Sequence, residues 1–435
     1  MTKIATSKTL AKFEAIGMHA QMNVHWSSAD GHHVYDKKKK YLDFTSTIFV
    51  ANIGHSNQVL KKSLIKTINN NLIHTYNYPN ILREKYIKSL IKSTKYFQKA
   101  FLLSGGSESV EAAMKLMRLY AIKEKKRRPG IISLRGNWHG RTMGAQMLSS
   151  DLNQKKWIGV KDKNIFHIDF PYPWLMERYH HNGKKFFLQS LNKLKKKINF
   201  KKDICGIILE TFQGWGAIFY PQDYVKAVEK FCKENKILLV FDEMQSGFGR
   251  TGKFFGFEHY KVKPDMICCG KGMGSGFPIS GVLGKKKILD LAPPGSMSST
   301  NSANPLACAA GLATLSELFK KKLVKKSYEN GNFFHFGLSK IKNKYKNYIS
   351  HSFGKGLVAS LLFKDLKLNN KIIPASYITN EICFECANNG LLLVRTGRES
   401  IKFGPPLTIT KNEISNGLVI LEKSISSVLG KFSKR

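Results

Sequence analysis

Through the middle of the chain, short runs of aliphatic and β-branched residues alternate with longer stretches in which apolar side chains recur every three or four positions. The runs Ala100 to Leu103, Ile131 to Leu134, Ile165 to Ile168, Gly206 to Leu209, Ile237 to Phe241, Met266 to Cys269 and Ser280 to Leu283 read as strands. Segments such as Glu108 to Ala121 and Asp223 to Asn235 read as the amphipathic helices between them. This alternation predicts an α/β large domain with a mostly parallel central sheet under a cover of helices. Nearer the N-terminus the period shortens: within His32 to Asp43, "HVYD" and "YLDF" flank a lysine turn and predict a hairpin. After Asn304 a long helical pattern leads into a second α/β region that runs to Arg435.

With 435 residues the chain is long enough for two domains. The pattern divides it into residues 1–50, joining a small α/β domain, residues 51–305 as the large domain, and residues 306–435 as the rest of the small one. Composition adds little, since 42% hydrophobic and 23% charged residues are ordinary for a globular protein. The net charge of +41 is not ordinary, and a basic excess can mark nucleic acid or an anionic membrane as partner. Here the lysines fall in short scattered runs (Lys37 to Lys40, Lys195 to Lys197, Lys285 to Lys287, Lys320 to Lys322) without the interleaved aromatics of a single-strand groove. Neither partner is therefore expected. The seven cysteines lack disulfide-framework or zinc spacing, so no metal is expected and a reduced, cytoplasmic setting fits. Met1 to Leu10 is polar, and no run reaches the roughly 20 apolar residues of a membrane helix.

Three junctions carry chemistry. In "FLLSGGSESVEAAMKL", Gly105, Gly106 and Ser107 stand between a strand and a helix, where first-turn amides and the helix dipole favour an anion. An ordinary N-cap is the alternative. In "ILLVFDEMQSGFGRTG" an apolar strand ends at Asp242 and Glu243, and a carboxylate there points into the crevice at the C-terminal edge of an open sheet. The alternative is an acid that only caps the loop. In "PDMICCGKGMGSGFPIS" a buried strand ends at Gly270 and delivers Lys271 into a glycine-crowded loop. A desolvated lysine loses its proton readily and attacks aldehydes, whereas a plain surface lysine does neither.

These junctions, together with "NWHGRT", "TNSANP" and "FGPPLTI" in the same order, make the chain resemble the class III (omega) aminotransferases. The resemblance spans about Asp43 to Leu407 and implies the pyridoxal-phosphate-dependent transferase fold type I. It implies pyridoxal 5′-phosphate as cofactor, with Lys271 forming the Schiff base and shuttling the proton, and Asp242 pairing with the pyridine nitrogen. Trp138 would stack on the ring, Gln245 would touch its phenolic oxygen, and Gly106 and Ser107 would hold the phosphate. Thr300 would reach the phosphate of a neighbouring subunit, which implies a homodimer with shared sites. Glu210 matches the first acid of the family's glutamate-containing loop.

Two positions depart from the family pattern. Where glutamate-using members carry a carboxylate-clamping arginine, this chain has Lys402, and where they carry a second glutamate it has Trp215. Lysine lacks the planar bidentate fork of arginine. Arg141 matches the distal-carboxylate clamp, and Arg395 and Arg398 are near enough in sequence to Lys402 to compensate for it. The implied reaction is transfer of an amino group from a primary amine or omega-amino acid (4-aminobutyrate-like, a diamine or an amino sugar) to a 2-oxo acid, in a ping-pong cycle. Racemisation or epimerisation on the same scaffold is the alternative.

Overall fold

The computed structural model describes residues 8–18, 22, 24–37, 39–368 and 371–433. Most of the polar stretch read at the N-terminus, residues 1–7, lies outside them, as does Lys38 of the lysine turn. The chain divides into two compact units, Gln58–Lys325 and Met1–Asn57 with Lys326–Arg435.

The first unit is built on seven strands: β1 (Lys99–Leu103), β2 (Gly130–Leu134), β3 (Ile165–Ile168), β4 (Ile204–Glu210), β5 (Leu238–Asp242), β6 (Met266–Cys269) and β7 (Ser280–Gly284). Their order across the sheet is β1-β7-β6-β5-β4-β2-β3. Every neighbouring pair is parallel except the two made by β7, which runs against both β6 and β1. Strands covered on both faces need no polar alternation. Accordingly β2, β4, β5, β6 and β7 are buried at every residue.

Helices α1 (Gln58–Asn69), α2 (Ile81–Lys92), α3 (Gly106–Lys123), α4 (Gln222–Glu234) and α5 (Pro305–Lys320) flank this sheet. α3 buries Val110, Ala113, Met114 and Met117 against Cys205, Val240, Cys268 and Val282 of the strands. The boundary read at 305/306 falls at the start of α5. That helix packs on α1 and α2 and so belongs with the sheet.

The second unit has two four-stranded sheets. In one, Ile349–Lys355, Val358–Phe363, Ser400–Phe403 and Val394–Arg395 pair antiparallel in that order. In the other, Ser28–Asp30, His33–Tyr35 and Lys40–Asp43 pair antiparallel in that order and Leu391–Leu392 adds parallel to Lys40–Asp43, so N-terminal and C-terminal segments share one sheet. The helices Ala375–Asn388 and Lys411–Ser433 pack on each other beside them.

Candidate active site

In an open parallel sheet the side chains that meet ligand come from the C-terminal ends of the strands. β4 ends at Glu210 and β5 at Asp242, while β6 is followed by Gly270 and Lys271. Around them lies a cavity of about 240 Å³ lined by Gly106, Ser107, Trp138, His139, Gly140, Glu210, Thr211, Phe212, Asp242, Met244, Gln245, Ser246 and Lys271.

Asp242 is 5% exposed and its two oxygens have different partners. Oδ1 accepts from the Met244 amide at 3.0 Å, and Oδ2 sits 2.9 Å from Nδ1 of His139. With the carboxylate accepting, the imidazole carries its proton on Nδ1 and leaves Nε2 buried without a hydrogen-bond partner among the described residues. A buried orphan of this kind marks a place where another group belongs.

Lys271 is held at φ +46, in the left-handed region that non-glycine residues seldom occupy. Its residue is half-buried, yet desolvation of the amine pushes its pKa below the ordinary lysine range, against the opposing pull of Asp242 and Glu210. Gly270 leaves the space this turn requires, since a Cβ there would stand 2.6 Å from Sδ of Met244.

At the opposite wall, Gly105 caps α3, and Oε2 of Glu108 accepts from the amides of Gly105 at 2.6 Å and Ser104 at 3.1 Å. The amides of the first helical turn have no acceptor within the helix. Ser107 Oγ accepts from the Arg141 amide at 3.2 Å, and Gly140, at φ +142, permits this approach because a Cβ there would fall 2.3 Å from the same Oγ.

Two carboxylates organise the loops. Glu210 Oε2 accepts from the amides of Trp138 at 3.0 Å and Gly214 at 3.2 Å, with Oε1 3.5 Å from Nε2 of Gln245. Glu243 is fully buried and accepts from Thr211 Oγ1, Ser246 Oγ and the amides of Gly256 and Phe257, at 2.6 to 2.8 Å. Burial still raises its pKa, because four donors only partly replace bulk water. Glu243 is a brace for the glycine-rich loop that follows it.

The cavity thus gathers Gly106, Ser107, Trp138, Glu210, Asp242, Gln245 and Lys271 of the residues read from sequence. It does not gather the others. Arg141 is exposed, its guanidinium 4.8 Å from the centre of the Trp138 ring. Trp215 lies one residue beyond Gly214, and Thr300 is exposed in the turns before α5. Arg398 and Lys402 belong to the other unit. There Arg398 is exposed and pairs with Glu399 at 3.4 Å, and Arg395 stands over the Phe384 ring. Lys402 is 2% exposed, with its ammonium 4.5 Å from the centre of the Phe49 ring. His139 and the bracing network of Glu243 were missed in the sequence. "NWHGRT" contains His139, but nothing local in the motif names its partner.

The family described as "Aminotransferase class-III" matches residues 16–425. The chain belongs to the class III aminotransferases. Curated relatives of this aminotransferase include the acetylornithine aminotransferase of Caldanaerobacter subterraneus subsp. tengcongensis, 33% identical over 92% of this chain and 94% of that one. The acetylornithine aminotransferase of Aquifex aeolicus is 32% identical over 93% and 98%. Among solved structures, the acetylornithine aminotransferase of Elizabethkingia anophelis superposes with a TM-score of 0.78 at 26% identity, over 96% and 97% of the two chains. The ornithine aminotransferase of Toxoplasma gondii ME49 shares the fold, with a TM-score of 0.85 at 24% identity over 97% and 94%. These named relatives are aminotransferases, which does not favour the racemase alternative. Among the described residues no helix is long and apolar enough to cross a membrane, and no group of three or more His, Cys, Asp or Glu is placed to hold a metal.

Proposed function

We propose that this class III aminotransferase moves the amino group of a primary amine or omega-amino acid to a 2-oxo acid in a ping-pong cycle, with Lys271 and Asp242 as its catalytic residues. The observation that carries the reading is that Lys271, Asp242 and the first turn of α3 line one cavity. Pyridoxal phosphate fits this chain's groups: an amine of lowered pKa, a carboxylate beside it, a helix start for the phosphate, and a buried imidazole nitrogen awaiting a partner. When bound, the cofactor supplies an aldehyde that takes up amines and a cationic ring that draws electrons from the donor carbon.

Each of the chain's own groups then has one task. Nζ of Lys271 would hold the cofactor by its aldehyde. The same amine, neutral at a lower pH than an ordinary lysine, would move a proton at the donor carbon. Asp242 would keep a proton on the ring nitrogen, and His139, through the bond of its Nδ1 to Oδ2, orients that carboxylate. The amides of Gly106 and Ser107 and the Ser107 hydroxyl would hold the phosphate. Trp138, its amide held by Glu210, would cover the ring face, and Gln245 would hold the phenolic oxygen.

Thr300, exposed and absent from its own protomer's cavity lining, supports a homodimer in which each chain lends this threonine to its neighbour's phosphate. Seven free, buried cysteines support a reducing, cytoplasmic setting. For substrate binding, Arg141, Arg398 and Lys402 are the proposed carboxylate partners and Trp215 a wall. The named relatives make an acetylornithine-type omega-amine the first donor to try.

The test is a half-reaction. The holoenzyme is mixed with a donor panel in the absence of acceptor, and the cofactor absorbance is followed. Conversion of the cofactor to its amine form, reversed by a 2-oxo acid, is expected. Exchange of the donor's α-hydrogen with solvent without that conversion contradicts the transfer reading.

A further inference from the structure

We propose that Glu210 is the counter-charge of Lys271, a positioning residue whose carboxylate steadies the lysine's ammonium form while Asp242 is engaged with the ring nitrogen of the cofactor. The inference rests on the aminotransferase reading above and adds a second working acid to that site.

Strand register puts the three groups side by side. Glu210 at the end of β4 pairs with Asp242 at the end of β5, and Asp242 pairs in turn with Cys268 of β6, the strand that Gly270 and Lys271 follow. Side chains at matched positions of neighbouring parallel strands leave the same face of the sheet. All three line the same cavity, whose lining includes the ionisable side chains of His139, Glu210, Asp242 and Lys271. His139 is committed to Asp242, with Nδ1 2.9 Å from Oδ2. Glu210 is 5% exposed, and its Oε2 accepts both from the Trp138 amide at 3.0 Å and from the Gly214 amide at 3.2 Å, which fixes the carboxylate at the wall.

A lysine that carries a proton spends part of each cycle as an ammonium, and an ammonium taken out of water is costly unless a negative charge stands near it. Desolvation lowers the Lys271 pKa, and Asp242 first and Glu210 second pull against it. In the apoenzyme Asp242 serves. With a cationic ring nitrogen facing Asp242, that one carboxylate would have two positive charges to balance, and Glu210 is the acid left for the lysine.

The proton step that Glu210 supports is balanced. The C–H bond of the donor carbon breaks, its electron pair passes to the cofactor, and Nζ takes the proton and returns it to the cofactor's carbon. Glu210 neither gives nor takes a proton; it lowers the cost of the charge that Nζ carries.

Two variants separate charge from shape. Glu210→Gln removes the charge and keeps an oxygen that both amides can share, whereas Glu210→Asp keeps the charge and shortens its reach. In the apoenzyme, acetic anhydride should label Lys271 about one pH unit lower in Glu210→Gln than in wild type, because the ammonium loses support, and at close to the wild-type pH in Glu210→Asp. In the holoenzyme, the pH midpoint of the cofactor absorbance, which reports the proton on the Lys271 nitrogen, should fall in Glu210→Gln as well. Single-turnover transfer in that variant should slow about 10- to 100-fold, while cofactor affinity changes by less than about 3-fold. Labelling and absorbance midpoints that stay at wild-type values in Glu210→Gln would overturn the proposal. Equal losses in both variants would overturn it too, since they mark a brace for the loops. Should Glu210→Gln fail to fold, Glu210→Asp carries the test: labelling at the wild-type pH supports the charge, and a shift to lower pH overturns it. If no amine of the donor panel reacts with wild type but both midpoints shift in Glu210→Gln, the counter-charge stands and the transfer reading falls.

Discussion

The floor and the rim of the cavity are held by different means, although both lie in the unit Gln58–Lys325. On the floor, Glu210, Asp242 and Lys271 stand at or just beyond the ends of adjacent strands β4, β5 and β6, and their positions follow from the sheet. At the rim, Tyr172, Trp174 and Trp215 are placed by ring contacts and by glycines at 136 and 214. Strand ends are shared by every member of a fold, whereas ring contacts change with a few substitutions. The difference teaches that strand pairing fixes the floor whereas side-chain contacts fix the rings.

Substitutions should separate the two regions, and the largest effects belong to the floor. Lys271→Ala should lower the rate of amino transfer by on the order of 10⁴-fold or more, measured in single turnover, because it removes both the amine that holds the cofactor and the proton carrier. A loss of less than tenfold would move the chemistry elsewhere. Asp242→Asn should cost about 10² to 10⁴-fold in kcat with every donor alike, since it removes charge from the ring nitrogen while leaving the shape. A loss confined to one donor would make Asp242 part of the rim.

Glu243→Ala should act on stability. It strands four buried donors and should destabilise the fold by about 2–4 kcal/mol, read as a lowered thermal midpoint with unchanged donor preference. A changed donor ratio at unchanged midpoint would contradict its role as a brace.

The smallest effect is a pH displacement. Because burial lowers the Lys271 pKa, the amine is protonated at low pH and becomes neutral, hence reactive, as pH rises through a value below that of surface lysines. In the apoenzyme, acetic anhydride should therefore label Lys271 at lower pH than the exposed lysines. Asp242→Asn removes a charge that favours the protonated form, so it should shift that labelling to still lower pH. A shift to higher pH would reverse the assigned electrostatics.

Much of the floor was legible in the sequence because its signals are local. A buried apolar run ending in glycine or an acid marks a strand end. The spans read for Ile165–Ile168 and Met266–Cys269 are those of β3 and β6. β4 begins earlier than read, at Ile204, because its pairing with β2 starts there, and it ends one residue later, at Glu210, where it still pairs with β5. The partnership of His139 with Asp242 was not legible, for it joins residues 103 apart in the chain. The rim was the least legible. Trp215 stood out as a departure from the family pattern, but Tyr172 and Trp174 look like any aromatic pair in a loop until the fold brings them against it. Lys402 shows a related limit: its near-complete burial over the Phe49 ring depends on the turn Ser46–Phe49, four successive residues at positive φ that no propensity predicts.

The central claim is that Lys271 is the lysine that carries the cofactor. Borohydride reduction of the holoenzyme, digestion and peptide mapping test it directly. The account predicts the pyridoxyl label on the peptide containing Lys271 and its loss in Lys271→Ala; label on any of the chain's other lysines, in a protein that retains its transfer activity, would contradict it.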